Sequence, residues 1–191
     1  MTSDSRLQTQ DLKRCTWAGT DPLYMDYHDN EWGKVVHDDK KLFEFMILES
    51  AQAGLSWITI LRRREGYRKA FADFDVQKVA AFTDKDVESL MQDTGIIRNR
   101  LKILAAISNA KLFIDIQKEF GSFDKYLYGF MPDGKPINNF SGITPASTPI
   151  SDAISKDMKK HGFKFFGTTI CYAHMQATGM VNDHLPDCSF K

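Results

Sequence analysis

The clearest pattern in the chain runs from Phe43 to Trp57, Phe-Glu-Phe-Met-Ile-Leu-Glu-Ser-Ala-Gln-Ala-Gly-Leu-Ser-Trp. Leu42, Phe45, Met46 and Ala53 recur at helical spacing and predict one buried stripe. Asp38 and Asp39 stand where a cap belongs, and Gly54 is a natural stop. Glu49 breaks the pattern. It falls four residues after Phe45, three after Met46 and four before Ala53, so it points with the apolar face. A carboxylate held there alone is costly, so it is either paired with a buried Arg or Lys or placed to meet a ligand. Gly54-Leu55-Ser56-Trp57 then makes a tight break, with an apolar tip and a flat aromatic beside it. One reading is a pocket for a flat, electron-poor, hydrogen-bonding ligand. The other is plain core, with Trp57 as packing.

The pattern elsewhere is also helical. Cys15 to Trp32 carries Trp17, Tyr24, Tyr27 and Trp32; breaks at Asp21-Pro22 and Gly33 predict an irregular segment of short helical turns. Trp57, Ile58, Ile60 and Leu61 form a run ending in Arg62-Arg63-Arg64, and Phe71, Phe74, Val76, Val79 and Phe82 continue helical packing through short turns. Thr83 and Asp86 have capping-box spacing, opening a helix through Leu90 and Met91 to Asp93-Thr94-Gly95. A longer helix is expected from near Ile97, carrying Leu101, Leu104, Ile107 and Ile114. Helix, Gly turn and helix, with Arg98, Arg100 and Lys102 at the start of the second, is the layout of a helix-hairpin-helix over about residues 84–113. Its turn amides and helix N-terminus suit a phosphate, although any αα-hairpin shares the outline. Residues 121–149 predict a short helix and then a surface loop. Ser151 opens a helix that Gly162 stops, and Thr168 opens another through Ile170, Tyr172 and Met175. Strand signals are nearly absent. The expected class is mainly α, with residues 14–191 a single domain behind a polar tail over 1–13.

Composition narrows the function classes. Lys and Arg number 25 and so do Asp and Glu, which excludes a globally basic nucleic-acid binder but not a local patch. No apolar run approaches a membrane span, and the N-terminus carries charges where a signal peptide needs an apolar stretch, so a cytoplasmic protein with no membrane partner is expected. Three cysteines would leave one over in any disulfide framework. Cys15 and His28 near the start, with His184 and Cys188 near the end, have the two-Cys, two-His composition of a structural zinc site. Twelve residues separate the first pair and almost the whole chain separates the halves, so spacing alone does not fix the site. Cys171 on an apolar helix face reads as core, and His37, His161 and His174 as ordinary surface or core histidines.

These strings together resemble the 3-methyladenine DNA glycosylase I family. The carriers are Cys15 and Trp17; Asp21-Pro22-Leu23-Tyr24; Tyr27 to Gly33; Leu48-Glu49 with Gln52 to Trp57; Gly95 to Ile103; Gly162 to Phe165; Thr168 to Tyr172; and Met175 to His184. They run in order from Cys15 to Cys188. The resemblance implies a helix-hairpin-helix DNA glycosylase-like fold with one structural zinc on Cys15, His28, His184 and Cys188, joining the termini. It implies a base pocket of Trp17, Tyr24, Tyr27, Trp32, Glu49 and Trp57, with Glu49 and Tyr27 acting on the base. Gly54 and Leu55 would fill the gap in the duplex, and Gly95, Arg98, Arg100, Lys102 and Lys164 would meet the DNA backbone. The partners are then double-stranded DNA carrying alkylated adenine, and free 3-methyladenine as product; a monomer is expected. Related helix-hairpin-helix glycosylases place a catalytic Asp after the hairpin, whereas Asp115 is the sole carboxylate between Asn99 and Lys118 here, a full helix away. The alternatives are a zinc-stabilised DNA-binding module without catalysis and a glycosylase of the same fold with another lesion preference. The chain stops three residues after Cys188, which leaves little beyond the expected zinc site.

Overall fold

The structure is a computed structural model, and it describes residues 12–191; most of the tail expected over 1–13 lies outside the described residues. At the boundary Lys13 is already tied to the far end of the chain, its N–H donating to Ser189 Oγ at 3.1 Å and its carbonyl accepting from Ser189 N at 2.9 Å.

Helix α2 (Asp39–Gln52) is the centre of the molecule, with the Asp38 side chain capping Lys41 N at 2.8 Å. Its sequence predicts a stripe, but the helix is buried almost all round. Leu42, Phe43, Phe45, Met46, Ile47, Leu48 and Ala51 are all in the core. The apolar run at 45–48 leaves no polar face, so neighbours must cover every side. Ala53, expected in the stripe, sits just past the helix end and is half-buried.

In front of it, α1 (Pro22–Asn30) is a regular helix where irregular turns were expected. Asp21-Pro22 reads as a break, but it is a start: the Asp21 side chain accepts from Leu23 N, and proline fits the first helical position. After α2 come α3 (Trp57–Leu61), α4 (Arg64–Ala70) and α5 (Val76–Ala80). Then α6 (Asp84–Gln92), with the Thr83–Asp86 capping box in place, leads through a tight turn into α7 (Arg100–Phe120). The second helix starts three residues later than expected, at Arg100, behind Asn99, whose side chain caps Lys102 N. Its core face is Ile103, Ile107, Ala110, Phe113 and Ile116; the expected Leu101 and Leu104 are exposed, Leu101 at 67%. The hairpin turn packs on α4 so closely that a side chain at Gly66 would collide with the Gly95 carbonyl. Tyr67 Oη accepts from Ile97 N at 3.2 Å and fixes the turn from behind.

After α8 (Phe123–Tyr128), a two-residue strand β1 (Ile137–Asn138) pairs in parallel with β2 (Val181–Asn182), Ile137 opposite Val181. The segment from 121 to 149 is therefore not only a surface loop. α9 (Pro149–His161) begins after the Thr148 cap, two residues before the expected Ser151, and α10 (Thr168–Ala177) packs on it and on α2. Buried His174, expected to be ordinary, hydrogen-bonds the Leu42 carbonyl at 3.0 Å and pins α10 to α2. No helix among the described residues is long and apolar enough to cross a membrane.

The end of α2 is closed by an unexpected side chain. Lys102 Nζ donates to the carbonyls of Ala51 and Ala53 at 2.8 and 2.7 Å, the groups a helix C-terminus leaves unpaired. Burial lowers its pKa from the usual lysine range. The residue expected at a phosphate instead joins the hairpin to the central helix. We expect Lys102→Met to destabilise the fold by about 1–3 kcal/mol. Urea denaturation measures this, and an unchanged midpoint would show that the cap is not needed.

Candidate active site and metal centre

α1, α2, α3 and α10 converge on a cavity of about 250 Å³, lined by Trp17, Tyr24, Tyr27, Trp32, Glu49, Gln52, Trp57, Thr144, Ala173 and Gln176. All six residues expected in a base pocket are there. The aromatic rings form a tilted cluster rather than a stack. Trp17 lies 5.1 Å from Tyr24 and 4.8 Å from Trp32 between ring centroids, and Tyr27 lies 5.4 Å from Trp57. Edge and tilted packing of this kind leaves ring faces available to a flat guest.

Glu49 is 3% exposed, and its Oε2 atom has no hydrogen-bond partner among the described residues. Burial alone pushes its pKa up to about 8. The same helix shows what pairing would look like. Glu44, equally buried, meets Arg64 Nε at 2.7 Å, Arg68 at 3.1 Å and Lys41 at 3.1 Å, and Arg64 also forks onto Glu31. The structural ion pair that was the other reading of Glu49 therefore belongs to Glu44. Trp57 Nε1–H is a second buried polar group without a partner among the cavity-lining residues. A dry acceptor and a dry donor beside one cavity suit a guest that is itself both. Tyr27 is held as a donor, its pKa raised well above the usual range by burial and then by nearby Glu49.

Next to this cavity Cys15, His28, His184 and Cys188, all buried, bring their ligand atoms within 4.8 Å of one another. Cys188 Sγ is 3.3 Å from His184 Nδ1 and 3.6 Å from His28 Nε2, and Cys15 Sγ is 3.5 Å from His184 Nδ1. The edges of a tetrahedral Zn–S, Zn–N site are roughly 3.3–3.8 Å, so the donor set fits zinc in type and spacing. The outer partners fit as well. His28 Nδ1 meets Asp29 Oδ1 at 2.8 Å, and Asp29 is itself forked by Arg14. His184 Nε2 meets the Trp32 carbonyl at 3.2 Å, and Cys15 Sγ accepts from Leu185 N at 3.3 Å. Such partners fix ring tautomers and orient metal ligands. Beyond Cys188, Phe190 lies edge-on to His28 at 5.6 Å, under the Arg14 guanidinium.

The groups expected at DNA fall at the α2–α3 turn, in and after the hairpin, and before α10. Gly54 has φ +82° and Leu55 is 40% exposed at the turn. Arg98 and Lys164 are exposed, and Arg100 pairs with Glu88 at 2.7 Å. Lys164 is held by its backbone, both its N–H and its carbonyl bonding the buried side chain of Asn109. Lys102 is engaged with α2, as described above. Gly95 donates to Asp93 Oδ1 at 2.7 Å in the hairpin turn. Sequence reasoning missed Gln52, Thr144, Ala173 and Gln176 in the wall, and Arg14 and Asp29 behind the histidine. Ala173 and Gln176 share a helix face three residues apart, a usable signal. Nothing local marks Thr144, which a distant loop supplies.

Together these features define a helical protein with an aromatic cavity, a buried acid in its wall and a helix-hairpin-helix. The chain matches the methyladenine glycosylase family over residues 17–191, and it belongs to that family. DNA-3-methyladenine glycosylase 1 of Escherichia coli (strain K12) is 50% identical over 179 residues, 93% of this chain and 96% of that protein. A crystal structure of 3-methyladenine DNA glycosylase I superposes with a TM-score of 0.89 at 51% identity, covering 93% of this chain and 98% of that one. A variant of 3-methyladenine DNA glycosylase I in complex with 3-methyladenine gives a TM-score of 0.89 at 36% identity, over 93% and 97% of the two chains.

The unpaired Glu49 has a consequence for stability. Its folded pKa, about 8, lies above the usual 4.5, so its contribution is full below about pH 4.5 and is lost as pH rises towards 8. Glu49→Gln removes that loss. We expect the variant to match the wild type near pH 4.5 and to exceed it near pH 8, by an amount on the order of 5 kcal/mol at most. Thermal melts across this range decide it; a variant less stable than wild type at pH 8 would mean that Glu49 is paired.

Proposed function

We propose that this protein performs base-excision repair, hydrolysing the bond between deoxyribose and 3-methyladenine in alkylated DNA. The observation that carries this reading is Glu49: buried, unpaired and facing an aromatic cavity. A base inside a duplex must be swung out to enter such a cavity, and a damaged base costs less to unstack. Methylation at N3 gives the ring a positive charge, so the base is already a good leaving group. Water adds at C1′ and gives up a proton to solvent, while the C1′–N9 bond breaks and its electrons leave with the base and neutralise the ring.

The protein's part is to favour the cation. Glu49 is largely protonated at neutral pH in the free protein, and a bound cation draws it to the carboxylate form. The ring faces of Trp17 and Trp57 add cation–π attraction, worth about 2 kcal/mol for a desolvated charge. Tyr27 supplies a hydroxyl donor. Neutral adenine gains none of the charge terms and keeps a stronger glycosidic bond. A conventional base after the hairpin is not part of this scheme, since Asp115 is exposed and paired with Lys118 at 3.0 Å.

Leu55, exposed at the turn beside Gly54, fills the space the base leaves in double-stranded DNA. Arg98, Arg100, Lys164 and the turn at Gly95 hold its backbone. The second reading, a DNA-binding module without catalysis, has no use for a dry acid in a cavity. We assign one structural zinc to Cys15, His28, His184 and Cys188, where it would hold the N-terminal aromatic segment against the end of the chain. The protein acts as a cytoplasmic monomer in this reading.

Purified protein should release free 3-methyladenine from methylated duplex DNA. Glu49→Gln should weaken binding of the free base by about 1.5–3 kcal/mol, the worth of a charged hydrogen bond. Intact methylated DNA after prolonged incubation would rule the activity out, and unchanged affinity would take Glu49 out of the base site.

Metal analysis should find about one zinc per chain. Cys188→Ala should lower both the zinc content and the melting temperature. Equal stability with and without chelator would overturn the zinc assignment.

A further inference from the structure

We propose that Gln176, locked in one orientation by Asp183, selects the amino-bearing base over its oxo counterpart. This rests on the reading that the cavity receives a methylated purine. Asp183 is buried, and three donors converge on it. Asn139 Nδ2 donates to Oδ1 at 2.7 Å; Tyr172 Oη and Gln176 Nε2 both donate to Oδ2 at 2.6 Å. A carboxylate only accepts, so the Gln176 amide must turn its NH₂ towards Asp183 and its oxygen away. Gln176 lines the cavity, and Oε1 has no hydrogen-bond partner among the described residues. The backbone is fixed too, the Gln176 carbonyl accepting from Gly33 N at 3.0 Å.

The lock matters because Glu49 alone cannot discriminate. A carboxyl group that takes up a proton can donate as readily as accept. It can therefore serve an exocyclic amino group when ionised and an exocyclic oxygen when protonated. The Gln176 amide has no such freedom, since turning it over would set its oxygen against Asp183. It presents an acceptor only. The amino group of 3-methyladenine donates to it; the 6-oxygen of 3-methylguanine opposes it and leaves two acceptors facing each other. Sites built around one hydrogen-bonding sense reject the wrong group far better than sites built on shape. Asp183 also holds Asn139, whose Nδ2 reaches the Ile143 carbonyl at 3.0 Å, beside the Thr144 that closes the cavity wall. One buried carboxylate thus sets two walls of the cavity. Gln176 is the selecting group, and Asp183 is a positioning residue.

The test is the ratio of 3-methyladenine to 3-methylguanine released in a single turnover from one preparation of methylated duplex. Gln176→Met keeps the length and removes the acceptor; the ratio should fall about tenfold or more. Asp183→Asn, which lets the amide turn, should lower the ratio as well, but have no further effect on it when added to Gln176→Met. A merely structural role would slow both bases alike, and that outcome, or an unchanged ratio, overturns the proposal. A second measurement needs no variant: the wild-type protein should bind free 3-methyladenine at least tenfold more tightly than 3-methylhypoxanthine, its 6-oxo analogue. Equal affinities would also overturn it. Failure of the wild type to release any base would instead defeat the proposed function, and the binding comparison still decides the present one.

Discussion

The cost of burying Glu49 without a partner is the constraint around which the rest of the molecule is arranged. Helix α2 carries that carboxyl into the core, where it is buried at the wall of the cavity. The burial raises its pKa to about 8, so the group waits close to neutrality and responds to whatever charge enters. A surface carboxylate would already be ionised and solvated, and would gain little from a cationic guest. A paired one, such as Glu44 with Arg64 and Arg68, has its attraction already satisfied. Ordinary cores avoid such a group; in the function proposed above, the instability it brings is what favours a cationic base.

The walls of the cavity come from both ends of the chain, so their placement depends on how those ends are joined. Gly33 has φ +75°, and an added Cβ would meet the His184 ring at 3.1 Å. Gly179, at φ +68°, lies against the backbone of Lys34 and Val35. These two positions let the extended segment after α1 run flush along the end of α10, where Val36 N donates to the Thr178 carbonyl at 3.0 Å. The Cys and His cluster then closes over the junction. Trp17 and Tyr27 on one side, and Ala173 and Gln176 on the other, keep their spacing because this seam is tight.

The helical class, the caps, the hairpin and the meeting of four Cys and His side chains were legible in the sequence, because each depends on short spacings or on unusual residue combinations. What failed were inferences in which a residue's neighbours are remote. Leu101 and Leu104 fit a helical period yet face outward, since Asn99 starts α7 late and Ile103 and Ile107 take the core face. Asp21-Pro22 carries the same letters whether it breaks a segment or begins a helix, and only the free amides of α1 decide. Lys102 looked like a phosphate ligand because nothing local shows that the α2 carbonyls lie within its reach. The strand pair Ile137–Asn138 with Val181–Asn182 is too short to leave a period, and with it went the loop that brings Thr144 to the cavity.

The bond from Lys102 to the carbonyls of Ala51 and Ala53 limits how this protein can be re-engineered. The exposed tip at Leu55 and the hairpin at Gly95 are far apart in sequence and look like separable modules. They share an ammonium group. Transplanting the tip alone into another scaffold would leave two helix-end carbonyls without their cation, and transplanting the hairpin alone would strand a lysine. A working chimera has to carry residues 51–55 and 95–102 as one block, and directed evolution that alters either should be expected to accumulate compensating changes in the other.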